Sequence, residues 1–556
     1  MNFIYDTNTY TVGETYTDNL GETTIDTVYI VPADGNPEWQ GNNNIIFANF
    51  EESFQDFKPT SLEKFFHNDQ KLSKITNAQN LNTSEATNMA YMFCCAGFKN
   101  NDSNIPFIIE GLDDWDVSKV TTMTYMFREA GYYATNWSIG DLSNWDTGNV
   151  IDMSLLFQES GYRSATWSVG DLSNWNVGSV TNMSGMFSNA GSNATIWYAG
   201  NLDEWNVDNV ENMSFMFSYA GRQDGNWSIG DISNWNVGNV TDMQVMFSAA
   251  GQNATNWYVG DLGKWNVGSV TNMSNMFAYA GEYSETWSLG DLSDWNVNNV
   301  TNMSYLFCCA GESIPGKWTV GDLSDWSVGS VTDMSYMFAS VGKSASEVAL
   351  GDIKNWDVSS VTSTLYMFYR FGYDIKDWSI DLTNWNLSSL NNMNYMFYHA
   401  GFNAETWTAE LSGWNASSAT KTQYVFMEAG NNAETWTANL SNWDIRSTSS
   451  IANILNSAGS KATTWTADVS GWNISSTTDM SRAFQYAGTN ATTWTLNGIT
   501  GWNTGNATKM DNMFYGVGSK ATFVLDLSGW NVDHVTSHSN FSSNSSTARV
   551  IPPVWK

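Results

Sequence analysis

The stretch WSIGDISNWNVGNVTDMQVMFSAAGQNAT, residues 227–255, is one complete copy of a unit that recurs along most of the chain. All but two of the 29 tryptophans occupy its two tryptophan positions, represented here by Trp227 and Trp235. A period of about 30 residues that repeats many times is typical of solenoids and related arrays, in which each unit buries its apolar face against its neighbours. The tryptophan spacing therefore predicts a repeat solenoid.

Two apolar patterns follow each other inside the unit. Ile232, Trp235 and Val237 have the L-x-x-L-x-L spacing of leucine-rich repeats, which predicts a short strand with these side chains inward. Four apolar residues then lie at i, i+3, i+6 and i+7, which predicts one face of a short helix. They are Val240, Met243, Met246 and Phe247. The middle of the unit thus predicts a strand followed by a helix.

The residues around this predicted helix fit its two ends. Asn239 and Asp242 suit an N-cap and an acidic first turn, and Gly251 suits a C-cap. Before the strand, apolar and polar residues alternate from Trp227 to Ile229, which predicts a return strand. The predicted fold is a leucine-rich-repeat-like α/β solenoid of about 15 coils of 29–30 residues, each with a strand, a helix and a return strand.

Changes in the repeat divide the chain into three parts. Residues 1–58 lack the unit and suggest short strands, so we expect a small β-rich N-terminal cap or attachment module. Residues 59–541 form the predicted solenoid, in which the unit shortens by one residue near residue 372. Residues 542–556 are rich in serine and then contain proline, so we expect a C-terminal tail or a docking peptide.

The composition is that of a folded, strongly acidic protein. The chain is 42% hydrophobic and carries a formal net charge of -33, which disfavours binding to nucleic acid and to anionic membranes. It has no apolar run long enough to span a bilayer, so membrane insertion is not expected. The N-terminus also lacks the features of a secretory signal. Either a leader has been removed, or the protein leaves the cell in another way, for example in a virus particle.

Catalytic residue patterns are scarce. The histidines are His67, His399, His534 and His538, and none of them forms a recognisable triad or metal-ligand motif with its neighbours. The sequence therefore predicts a protein that is not an enzyme and needs no cofactor.

Two rows of polar residues are candidate binding positions. An outward row of asparagines offers amide donors and acceptors that suit sugars or polar protein surfaces. Satisfying the amides of stacked coils is the alternative role for this row. Its members are Asn144, Asn174, Asn234, Asn236, Asn266, Asn355, Asn384 and Asn386.

The second row consists of aspartates that precede the first strand. We expect them to cap turn amides, with calcium bridging as a weaker possibility. The calcium candidates are Asp141, Asp171, Asp231, Asp261 and Asp291.

Four late units carry the triplet T-W-T, as at Thr406 and Thr408. Regular outward threonine pairs on a flat parallel ladder suit ice binding, although the β-propensity of threonine explains them equally well. Ice binding is therefore a minor alternative function.

The repeat resembles that of BspA-like leucine-rich-repeat surface proteins. The closest pattern, W-N/D-V-S-N-V-T-N-M-S-x-M-F, recurs as WDVSKVTTMTYMF (115–127), WNVGSVTNMSGMF (175–187) and WNVNNVTNMSYLF (295–307), and the likeness covers roughly residues 75–541. The resemblance implies display at the cell surface or outside the cell, and adhesion to a protein or glycan of a host or neighbouring cell. It supplies no binding residues. The alternative is a phage virion protein with a structural or receptor-binding role, docked to a larger assembly through its N-terminal module.

Overall fold

The computed structural model describes the whole chain except residues 6–10, 13, 19–20, 25–28, 33, 35–36, 100–104, 544–547 and 556. Two compact units are present. The first contains residues 1–240 and 246–260, and the second contains residues 241–245 and 261–556. Both are β-solenoids, with about 17 coils between them and little helix.

In the first unit, short strands stack in parallel from coil to coil. Strands β1, β4, β5, β6 and β7 form a five-stranded sheet in that order, whereas β8 pairs with β9, and β10 with β11. Strands β2 and β3 form an antiparallel hairpin. The strands are β1 (Asn2–Phe3), β2 (Thr15–Asp18), β3 (Gly21–Thr24), β4 (Phe47–Phe50), β5 (Lys74–Thr76), β6 (Phe107–Ile109), β7 (Trp137–Ser138), β8 (Thr166–Ser168), β9 (Ile196–Tyr198), β10 (Asn226–Ser228) and β11 (Asn256–Tyr258).

In the second unit, the main sheet is longer and more regular. Strands β14 to β18 form a five-stranded parallel sheet, and two further parallel pairs join β12 to β13 and β19 to β20. The strands are β12 (Lys317–Thr319), β13 (Glu347–Ala349), β14 (Asp377–Asp381), β15 (Thr406–Glu410), β16 (Thr435–Asn439), β17 (Thr464–Asp468), β18 (Thr493–Asn497), β19 (Phe523–Asp526) and β20 (Ala548–Ile551).

The two tryptophan columns form the core, as the sequence predicts. Every tryptophan except Trp555 is buried. Neighbouring indoles within a column stack face to face; for example, the ring centroids of Trp407 and Trp436 lie 4.8 Å apart. Many indole N–H groups donate to backbone oxygens, as Trp436 Nε1 does to the oxygen of Ala429 at 3.1 Å. Most of these rings are therefore packed on their faces by the adjacent coils and fixed at their edge by a hydrogen bond, whereas the Nε1 of Trp227 has no hydrogen-bond partner among the described residues.

The predicted helix of each coil is wrong, and so is the strand predicted at Ile232, Trp235 and Val237, where a 3-10 turn is followed by residues outside any strand. The only helical elements in the described residues are short 3-10 turns. They are Glu52–Asp56, Ala78–Asn80, Leu172–Asn174, Ile232–Asn234, Leu262–Lys264, Leu323–Asp325, Ile353–Asn355 and Ile499–Gly501.

The segment predicted as a helix is a series of turns, because residues within it adopt left-handed backbone angles. In the repeat of residues 227–255, Val245 and Ala249 have φ values of 59° and 53°. Such residues interrupt the i to i−4 hydrogen bonds of an α-helix. The amides bond instead to the adjacent coil, as the N–H of Phe157 does to the oxygen of Met186 at 2.8 Å. The apolar side chains still point inward, so the spacing identified the buried residues but not the backbone.

The residues assigned to the helix ends also have other partners. Asn239 Nδ2 donates to the oxygen of Asp208 at 2.7 Å, and Asp242 accepts from the backbone N–H of Gln244 at 2.9 Å. Gly251, expected as a C-cap, has a φ of 49° and donates its N–H to the oxygen of Ala220 at 3.1 Å. All three positions serve turns and contacts between coils.

The shorter repeat beyond residue 372 lengthens the strands from three residues to five. In the 30-residue repeats, a glycine with positive φ follows the return strand and ends it, as Gly351 does with a φ of 76°. This glycine is missing from the sequence WSIDLTNW, residues 378–385, and the strand continues as far as Asp381. One deleted residue therefore produces the regular sheet β14 to β18.

Both chain ends contribute strands to parallel pairs. The expected N-terminal module, residues 1–58, is not confirmed as a separate cap, since β1 and β4 lie in the same sheet as the first repeats. Parts of this module and of the expected C-terminal tail lie outside the described residues. In the tail, β20 pairs with β19, and the ring of Trp555 stacks on His538 at 4.1 Å.

Candidate functional site

All eight predicted asparagines are exposed, and in the first unit they form a face beside one tryptophan column. Asn144, Asn174 and Asn234 each precede a buried tryptophan. That tryptophan is fixed by its indole N–H, which for Trp235 donates to the oxygen of Leu202 at 2.9 Å. Asn174 and Asn234 are the last residues of 3-10 turns, and Asn144 lies in a turn, so each exposed amide is presented by a turn directly before the buried indole.

These asparagines differ in how their amides are used. The Asn144, Asn174 and Asn234 side chains form no hydrogen bond with any residue that the structure describes. Asn236 instead accepts from the N–H of Gly238 at 3.3 Å and donates to Asp208 at 2.9 Å. The asparagines before the tryptophan are thus available to a ligand, whereas Asn236, after it, holds a turn.

The second unit also has asparagines directly before and directly after the buried tryptophan, and they form hydrogen bonds. Asn384 donates to Asn355 at 2.9 Å across neighbouring coils. Asn266 and Asn386 each accept from the backbone N–H two residues further on, at 3.2 Å. The amides of this unit are therefore more occupied than those of Asn144, Asn174 and Asn234, the set we call the free-amide row.

The aspartate row caps turns, which confirms the favoured interpretation of these residues. Asp141 and Asp171 accept from the backbone N–H two residues further on at 3.0 Å, and Asp231 at 3.1 Å. Asp261 and Asp291 do the same in the second unit, at 3.0 and 3.1 Å.

The aspartate row is also closely packed by the next coil. A Cβ at Gly170 would overlap the Asp141 carboxylate, so the glycine of the next coil lies directly on it. Among the residues described, no group of three or more His, Cys, Asp or Glu side chains is placed to hold a metal ion. Calcium bridging of this row stays a prediction.

A row of stacked tyrosines was not anticipated from the sequence. Tyr305, Tyr336, Tyr366, Tyr395 and Tyr424 lie one per coil, with neighbouring ring centroids 4.3–4.8 Å apart. Burial raises the pKa of Tyr336 and of Tyr366 to about 12. Because the rings cover each other's faces, the row presents mainly ring edges and hydroxyls. Tyrosine recurs at the x position of M-S-x-M-F, so this signal was present in the sequence.

A buried carboxyl was also missed. Asp69 is fully buried, and its Oδ1 accepts from the N–H of Asn42 at 2.9 Å. Its Oδ2 has no hydrogen-bond partner among the described residues. Burial raises the pKa of Asp69 to about 7, and the hydrogen bond from Asn42 opposes this shift only in part. No local motif marks Asp69, because its partner is 27 residues away.

The stacked coils and buried indole columns define a class of tandem-repeat β-solenoids. The chain belongs to the family described as Mycoplasma protein of unknown function, DUF285, which it matches in ten overlapping windows between residues 42 and 551. BspA-like repeat proteins form this family, so the resemblance of the sequence holds at that level. No curated protein and no solved structure matches the chain.

Within the described part of the chain, no helix has the length and apolar character needed to cross a membrane.

Proposed function

We propose that this protein is a non-enzymatic adhesion or recognition protein, displayed outside the cell, that binds a protein or glycan through the free-amide row of its first unit. The observation that carries the proposal is the exposure of Asn144, Asn174 and Asn234 without hydrogen-bond partners among the described residues. Each amide offers two donors and an acceptor. Asn144 and Asn174 lie in neighbouring coils, and the exposed Glu204 occupies the same position in the coil before Asn234, so the periodic surface combines amides with one carboxylate.

The chemistry of this row favours polar, uncharged groups on the ligand. Sugar hydroxyls and exposed peptide groups can both donate to and accept from an amide. The net charge of -33 disfavours the binding of nucleic acid and other polyanions. Membership of a repeat family with BspA-like proteins supports a role at a surface, although the family itself is described as being of unknown function.

The test is an array of glycans and cell-surface proteins probed with the full chain, with and without calcium. We expect binding that falls at least about tenfold when Asn144, Asn174 and Asn234 are all changed to arginine, a loss of roughly 1.4 kcal/mol or more. Arginine adds bulk and charge and removes the amide acceptor.

The matched control changes three exposed residues elsewhere in the first unit, Ile151, Ile196 and Tyr198, to arginine. This variant makes the same change in charge and should bind as the unmodified protein does. Equal loss of binding in both triple variants, or no binding to any member of the array, would contradict the proposal.

A further inference from the structure

The T-W-T strands of the second unit form two outward columns of threonine. Strands β15 to β18 pair in strict register, so each threonine lies beside its counterpart in the next strand. The first column is Thr406, Thr435, Thr464 and Thr493, and the second is Thr408, Thr437, Thr466 and Thr495. We call these eight residues the threonine face. Its side chains are exposed or half-buried.

The threonine face is flat. The tryptophans beneath it stack with interplanar angles of 2°, 5° and 8° from Trp407 to Trp494. Neighbouring strands in ordinary sheets are rotated by about 20–25°. Nearly parallel indoles therefore indicate that successive strands hardly rotate, so the threonines above them lie close to one plane.

The hydroxyls of the threonine face are largely unused. Thr406 donates to Asp377 at 2.7 Å. The other seven hydroxyls have no hydrogen-bond partner in the part of the chain that the structure describes. Glu410 and Asp468 lie in the adjoining column, and Asp377 continues the first threonine column into β14, so the eight threonines form the uncharged part of this sheet surface.

We propose that the threonine face binds the surface of ice. Strand spacing and strand rise give a rectangular array with repeats of about 4.8 Å and about 6.7 Å. Each point offers a hydroxyl that bonds water and a methyl group that limits other water orientations. An uncharged planar lattice of this kind can order a water layer that merges with a crystal of ice.

A flexible glycan or a protein surface lacks matching periodicity in two directions, so ice is the ligand that uses the whole array. The threonine face lies in the second unit and the free-amide row in the first, so the two proposals can fail separately.

The test is thermal hysteresis and ice-crystal shaping by the full chain. We expect both activities in the unmodified protein and their loss in a Thr437→Tyr, Thr466→Tyr double variant, whose rings would project from the plane. The control is Ser168→Tyr with Ile196→Tyr, at exposed strand positions of the first unit, which should keep both activities. Tryptophan emission of each variant verifies that the indoles remain buried.

Absence of hysteresis and shaping in the unmodified protein would overturn the proposal, as would full activity in the double variant. Binding of crystalline chitin or cellulose through the threonine face without ice shaping would also overturn it. The unmodified protein could instead self-associate without shaping ice, and the double variant could lose this self-association. That result would also overturn the proposal, because it would assign the threonine face to contact with a second copy of the chain.

Discussion

Replacing Trp436 with alanine will lower the free energy of unfolding of the second unit by about 3–5 kcal/mol. The Trp436 side chain is fully buried, and its ring lies 4.8 Å from that of Trp407 and 5.1 Å from that of Trp465. Alanine leaves a cavity between two rings and removes the hydrogen bond to the oxygen of Ala429. Because each coil is stabilised mainly by its neighbours, the damage extends to both adjacent coils.

Denaturant unfolding measures this loss, and two variants calibrate it. Trp436→Phe keeps an aromatic ring but loses the indole donor, so we expect a smaller cost of about 1–2 kcal/mol. Thr437→Ala, at the next residue on the outward side, should change stability by less than about 0.5 kcal/mol. Equal free energies of unfolding for Trp436→Ala and Thr437→Ala would show that the indole column is not the main source of stability.

Asp69→Asn will stabilise the first unit at alkaline pH by about 1–3 kcal/mol. Burial raises the pKa of Asp69 from its ordinary value of 3.8 to about 7, so the folded chain holds this proton more tightly than the unfolded chain. The contribution of Asp69 to stability is therefore fully present below about pH 4 and is lost as the pH rises through 7. A neutral amide at this position removes the cost of burying a charge.

Thermal unfolding at pH 5 and pH 8 tests this prediction, and Asp116→Asn is the control. Hydrogen bonds from the side chain and backbone of Ser118 lower the pKa of the exposed Asp116, so its ionised form favours folding. Its contribution is present above its ordinary pKa of 3.8 and is lost only on acidification below that value, so the effect of Asp116→Asn should be the same at pH 5 and pH 8. A stability of Asp69→Asn that shows the same dependence on pH as the unmodified protein would contradict the account.

Much of the repeat could be predicted from the sequence, because a feature copied in every coil must occupy the same place in each. The burial of Trp227 and Trp235 follows from periodicity, and the return strand follows from alternation. The exposure of Asn234 is also as predicted, although a 3-10 turn presents it and not a strand. Periodicity could not show whether the segment after the tryptophan is a helix. Apolar residues at i, i+3, i+6 and i+7 suit both a helix and the observed turns, and only backbone angles such as the φ of 59° at Val245 separate them.

Contacts between coils explain the other differences from the prediction. The exposed asparagines look equivalent in the sequence, yet Asn236 is hydrogen-bonded to Gly238 and Asp208, whereas the Asn234 side chain has no hydrogen-bond partner among the residues described. The buried Asp69 accepts a hydrogen bond from Asn42, which lies 27 residues before it. Such pairings depend on how one coil lies on the next, which a single repeat does not encode.

Quenching of tryptophan emission by acrylamide tests the central claim most directly, namely that the indoles are stacked inside the coils. All the tryptophans except Trp555 are buried, so we expect blue-shifted emission and quenching limited to a small fraction of the signal. Denaturant should then expose the whole population. Emission at the wavelength of free tryptophan, or quenching of most of the native signal, would contradict the account.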